Sequence, residues 1–262
     1  MLLNEEYYLS NSEANAWEEM CPLMWKARFI DGIIQEEESA DITVMDWGVL
    51  FETLAIGSGV MGKTIPDAKL AKMQKSEYYK RVSQQAAECR AYFKALGGKI
   101  VSRQDYIFVS IQTDEGQEIK LCGGLDLLYE FPDGERLIID LKLTGDTDND
   151  FGKYQFGNVN KINPQQGIHY RLLHRAKYGF DAAFQYWVFD KSHSMKQTRI
   201  GVNVSEIAEL MHIAKFAQIY NDISFAIGMD DWGYKNTFNN CRSCPIKCQH
   251  QRILPDLQEL SI

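Results

Sequence analysis

No stretch of the sequence stays apolar for long enough to cross a bilayer, and the first residues, MLLNEEYYLSNSEANAWEEM, carry acids where a secretory leader would carry a basic region. Both absences predict a soluble protein of the cytoplasm. Internal repeats, low-complexity tracts and linkers are missing too, so the 262 residues read as one domain, 1–262, with enough chain to bury a full core. Disulfides are not expected in a reducing compartment. The six cysteines are therefore expected to act as thiols or metal ligands.

Positive charge is short overall, with a formal net charge of −8, but the deficit is uneven. Residues 1–60 hold 12 acids against two basic residues, whereas residues 61–103 hold ten Lys/Arg against three acids and residues 151–199 hold eight against two. Such segregation permits a basic groove on an acidic protein, one route to a phosphate-binding surface. Solvated helix faces account for the same pattern equally well.

Ser10 followed by Glu13 is a capping-box pattern, and the helix it opens should stop near Gly32, kinked or divided at Pro22. A second helix is predicted over VMDWGVLFETLAIGSG, after an acidic surface loop at QEEESAD. From Asp67 to Leu96 apolar residues recur at intervals of three and four, ending at Gly97-Gly98, which predicts a long amphipathic helical region with a basic outer face. The period then changes. Apolar and β-branched runs separated by DEG and PDG predict three or four antiparallel strands, followed by a helix at NPQQGIHYRLLHRAKYGF, strands at AAFQYWVFD and TRIGVNV, and a last helix before a cysteine-rich tail. The fold class is α/β, a mixed central sheet flanked by helices.

Asp126 and Asp140 fall on two strands joined by a turn at Pro132-Asp133-Gly134, so folding that hairpin brings their carboxylates together. Adjacent carboxylates repel unless a cation lies between them, and a hard divalent ion such as magnesium or manganese suits oxygen ligands. Lys142, two positions after Asp140, emerges on the same strand face, where an ammonium could orient or help deprotonate a nucleophile or neutralise charge on a phosphoryl group. A plain Asp–Lys ion pair is the bland alternative.

In order along the chain stand GVLFE with Glu52, GGLD with Asp126, DLK with Asp140 and Lys142, and QGIHY with Gln166 and Tyr170. This ordered set resembles the PD-(D/E)XK nuclease superfamily, in particular its RecB-like branch. The resemblance implies a restriction-endonuclease-like fold, with a nuclease core over about 43–200 and cluster-binding parts from 10–32 and 203–262. It implies catalytic roles for Asp126, Asp140, Lys142, Gln166 and Tyr170. Magnesium or manganese would be held by Glu52, Asp126, Asp140 and Leu141, the last able to offer only its carbonyl. Many RecB-like relatives have histidine at the position of Glu52. His169 and His174 are not required by the pattern and are expected on the surface or in the basic groove.

The tail NNCRSCPIKCQH places Cys241, Cys244 and Cys248 together, and three neighbouring thiolates call for a metal and a fourth ligand. Cys21 resembles the remote N-terminal cysteine of RecB-like nucleases with an iron–sulfur cluster, CRISPR-associated and phage exonucleases among them. A 4Fe–4S cluster is the implied cofactor, with zinc, and His250 in place of one cysteine, as the alternative. Cys89 and Cys122 are expected as buried small hydrophobes. The function so implied is a metal-dependent DNA exonuclease acting on single strands or strand ends in recombination or repair. DNA, a recombination or repair protein and a second copy of the chain are its expected partners. A catalytically inactive nucleic-acid-binding or scaffold protein on the same fold is the alternative.

Overall fold

The computed structural model describes residues 2, 3, 6–33, 41–59, 62–145, 147 and 162–232. The chain enters through three two-residue strands, β1 (Leu2–Leu3), β2 (Glu6–Tyr7) and β3 (Leu9–Ser10). Ser10 then accepts the Glu13 amide while the Glu13 carboxylate takes the Ser10 amide, so the expected capping box opens α1 (Asn11–Glu19). Pro22 cannot donate a backbone hydrogen bond, and the chain restarts there as α2 (Pro22–Phe29) with proline in its first turn. A second capping box, Thr43 with Asp46, opens α3 (Val44–Ile56), which stops at Gly57 with φ +81°.

The basic helical region is divided into α4 (Asp67–Met73) and α5 (Glu77–Leu96), with Ser76 capping the second through the Tyr78 amide. Three strands follow, β4 (Lys99–Gln112), β5 (Glu118–Glu130) and β6 (Arg136–Thr144). Then come α6 (Gln165–Tyr178), β7 (Ala183–Asp190), β8 (Gln197–Gly201) and α7 (Glu206–Met229). The six-stranded sheet has the order β3-β5-β6-β7-β8, with β4 also paired to β5. It is mixed, because β6 and β7 run parallel across the α6 crossover while β5–β6 and β7–β8 are antiparallel. The acidic loop expected at QEEESAD falls almost wholly outside the described residues, as does the cysteine-rich tail.

Two compact units are distinguished. One holds residues 38–109 and 122–212. Its core is formed by Leu50 and Phe51 of α3, Val82, Cys89 and Phe93 of α5, and Leu127, Ile139, Leu141, Trp187 and Phe189 from the sheet. The other holds residues 1–37, 110–121 and 213–262. Its centre is aromatic: Trp25 has no exposed surface, meets Trp17 edge-on at 5.3 Å, stacks on Trp232 at 6.1 Å, and donates its indole N–H to the Glu13 carbonyl. Among the described residues no helix is long and apolar enough to cross a membrane.

Candidate active site

Paired residues of β5 and β6 run from Glu130 opposite Arg136 to Leu127 opposite Ile139, and one step further the register brings Asp126 to Asp140. There the Asp126 Oδ2 accepts the Leu141 amide at 3.3 Å. Asp140 is buried, and its Oδ2 forms an ion pair with Lys142 Nζ at 2.6 Å. From α6, Gln166 Nε2 donates to Asp140 Oδ1 at 3.1 Å and lies 3.1 Å from the Tyr170 hydroxyl. Thus the D-x-K strand, the GxxD strand and the Q-x-x-x-Y helix meet where the hairpin pattern placed them.

Two glycines set that meeting. A Cβ on Gly123 would stand 2.8 Å from Leu173 and 3.2 Å from Tyr170, and one on Gly167 would stand 2.8 Å from Phe184. Their missing side chains let α6 close on β5 and β7, so Gln166 and Tyr170 reach Asp140. His169, on the same helix, is fully buried with Nε2 2.9 Å from the Cys122 carbonyl, so that nitrogen carries the proton. His174 is buried too, with Nδ1 3.1 Å from the Phe180 carbonyl. Neither occupies the surface position expected from sequence: both rings are buried, and each has one nitrogen on a backbone carbonyl.

Glu52 comes from α3 and is buried, as its apolar surroundings suggested. Its partner is Gln104, whose Nε2 donates to Glu52 Oε2 at 2.8 Å. Gln104 was missed in the sequence reading. It sits inside β4 with φ +49°, a left-handed backbone that side chains other than glycine's seldom adopt, and such strain tends to gather at functional sites.

The charges are arranged against their ordinary preference. Burial first, and then the Asp140 charge, push Asp126 up to about 8. Burial and then Asp126 push Glu52 up to about 9. Burial alone would lower Lys142, but Asp140 and Asp126 outweigh it and hold the ammonium above its usual range. Burial, followed by the same two aspartates, raises the Tyr170 phenol. Without a cation, Asp126 and Glu52 are thus held mostly protonated at neutral pH, while Lys142 pairs with Asp140.

This cluster of carboxyl groups fits a hard divalent cation, which would favour the ionised forms and find oxygen donors in Glu52, Asp126, Asp140 and the Leu141 carbonyl. Among the described residues no three Asp, Glu, His or Cys side chains already converge as a metal-binding group. Instead Gln104 holds Glu52, while Gln166 and Lys142 hold Asp140. Cys21 is buried, and its expected partners Cys241, Cys244 and Cys248, with His250, lie outside the described residues. Cys89 and Cys122 are buried as small hydrophobes, and burial pushes the Cys89 thiol up to about 12.

Two facing carboxylates, a lysine on the second strand, a glutamate from the preceding helix and a Gln/Tyr pair from the following one stand in the order expected of a PD-(D/E)XK chain. Residues 8–249 match the PD-(D/E)XK nuclease superfamily, and the chain belongs to it. Among solved structures it is similar to a protein from Eubacterium rectale provisionally named an exonuclease, with 17% identity over 85% of this chain and 87% of that one and a TM-score of 0.53. That likeness concerns the fold. A second structure, SSO0001, aligns over 87% of this chain and 95% of its own at 11% identity and a TM-score of 0.33, too distant to carry an argument. None of the curated proteins matches the chain significantly.

Proposed function

We propose that the chain is a metal-dependent DNA exonuclease that hydrolyses phosphodiester bonds of single strands or strand ends in recombination or repair. Membership of the nuclease superfamily supports hydrolysis, and the observation that supports metal dependence is the cluster of buried Glu52 and Asp140 with half-buried Asp126 and Lys142. Glu52, Asp126, Asp140 and the Leu141 carbonyl would hold magnesium or manganese. When bound, that ion supplies Lewis-acid polarisation of the phosphate and of a water molecule.

The protein's own groups divide the remaining work. Lys142, paired with Asp140 at 2.6 Å, would place an ammonium beside the phosphoryl oxygens. Gln166 orients the Asp140 carboxylate through Oδ1 and leaves Oδ2 to Lys142. Tyr170, kept neutral by burial and by both aspartates, offers a hydroxyl next to Gln166 for a phosphate oxygen of the strand. Gln104 fixes Glu52 from the opposite side.

The tail belongs to the same proposal: Cys21 with Cys241, Cys244 and Cys248 forms a structural 4Fe–4S site, zinc being the competing ion. Purified protein is incubated with end-labelled linear single-stranded DNA, with internally labelled circular single-stranded DNA and with blunt duplex, in the presence of manganese. Shortening of linear strands with circles intact is the expected result. Linearised circles would make it an endonuclease, and no product with any substrate would leave a binding protein on this fold. Iron, sulfide and zinc content of the same preparation decides the cluster.

A further inference from the structure

We propose that Arg81, Lys191 and His193 form a contact for a backbone phosphate of the nucleic-acid strand, separate from the carboxylate site; the choice of nucleic acid as ligand rests on the proposed nuclease activity. The contact is built on the turn between β7 and β8. Asp190, with no exposed surface, accepts the Ser192 amide at 3.1 Å and the Ser192 hydroxyl at 2.9 Å through Oδ1. Through Oδ2 it accepts the Ser194 hydroxyl at 2.8 Å and the Thr147 hydroxyl at 3.3 Å. The turn's even-numbered residues are thereby drawn inward and its acid is fully engaged. Lys191 and His193 reach α5 instead.

Arg81 of α5 receives them. Its Nη1 lies 3.1 Å from His193 Nδ1, its guanidinium carbon stands 4.7 Å from the centroid of the half-exposed Tyr78 ring, and Lys191 Nζ stands 5.9 Å from the same centroid. Arg81 forms no ion pair among the described residues, because Glu77, one turn back on the helix, is paired with Lys80 at 2.8 Å. The Arg81 Nε is buried without a hydrogen-bond partner. A guanidinium held against a half-exposed aromatic ring, with the exposed His193 beside it and the buried Lys191 at the same ring, suits a phosphate through its outer Nη donors.

The patch connects to the carboxylate site along two elements. The Lys191 amide donates to the Thr144 carbonyl at 3.1 Å, four residues beyond Asp140 on β6, or roughly 13 Å along a strand. Trp47, whose ring lies 5.9 Å from Tyr78, precedes Glu52 by five residues on α3.

Full-length protein carrying Asp140→Asn, to prevent cutting, is titrated with a fluorescent single-stranded oligonucleotide at several salt concentrations. Adding Arg81→Ala should raise Kd about tenfold. It should also make the slope of log K against log salt shallower by about 0.7. Lys94→Ala, on the same helix but about 20 Å along it, should change neither. Should the alanine variant fail to fold, Arg81→Lys keeps the charge without the fork and should weaken binding by a smaller factor. Unchanged Kd and slope in the folded Arg81 variant, or an equal loss in Lys94→Ala, would overturn the contact and leave Arg81 as a brace for the turn. A parent protein that binds no oligonucleotide would overturn the nuclease reading itself.

Discussion

Asp126→Asn should make the metal-free protein more stable while removing its activity. The Asn carbonyl keeps the acceptor for the Leu141 amide, so the change removes charge and little else. With the folded carboxyl pushed up to about 8 against an ordinary value near 3.8, there is no difference between folded and unfolded chains well below pH 4. As pH rises above 4 the unfolded chain ionises first, and stability falls by up to about 1.4 kcal/mol per pH unit until the folded group follows near pH 8. Relaxation and water entry reduce that ceiling, and a gain of about 0.5–2 kcal/mol at pH 8 is expected of the variant. Urea midpoints with chelator at pH 5 and pH 8 measure it: the gain should be larger at pH 8. Manganese should then stabilise the parent more than the variant. An equal gain at both pH values, or a loss at pH 8, would refute the charge argument.

Gly123→Ala should make the Leu173 and Tyr170 side chains of α6 shift, because the new Cβ would stand 2.8 Å and 3.2 Å from them; a loss of about 1 kcal/mol with a fall in cleavage rate is expected, and thermal melting with single-turnover kinetics reads both. His169 is held neutral by burial, with its pKa lowered to about 4. Its contribution to stability is therefore complete above about pH 6.5 and lost as pH falls toward 4, and the acid limb of a denaturation profile should flatten in His169→Gln. Trp25→Ala should cost about 3–5 kcal/mol in the unit centred on that ring, visible as a lowered melting temperature.

Much of the site was legible because its signals are local and ordered. The capping pair Ser10 and Glu13, the break at Pro22 and the turn at Pro132-Asp133-Gly134 act through neighbours in sequence, and each stands where its chemistry put it. The hairpin register follows from that turn, so the approach of Asp126 to Asp140 could be anticipated. Other features depend on distant partners. The division of the basic helical region hangs on a single serine cap at Ser76, in a run with neither glycine nor proline to mark it. Gln104 became visible only when β4 was laid beside α3, since nothing in RQDY distinguishes it. The deep positions of His169 and His174 depend on carbonyls at Cys122 and Phe180, which periodicity does not reveal.

The central claim, that the Asp126–Asp140–Lys142 set is a working nuclease site, is tested most directly by one comparison. The manganese-dependent rate of release of nucleotides from linear single-stranded DNA is measured for the parent protein and for Asp140→Ala, with melting temperatures showing both to be folded. Cleavage by the parent, abolished by chelator, and none above background in the variant are the expected results. Cleavage retained by folded Asp140→Ala, or surviving chelation in the parent, would contradict it.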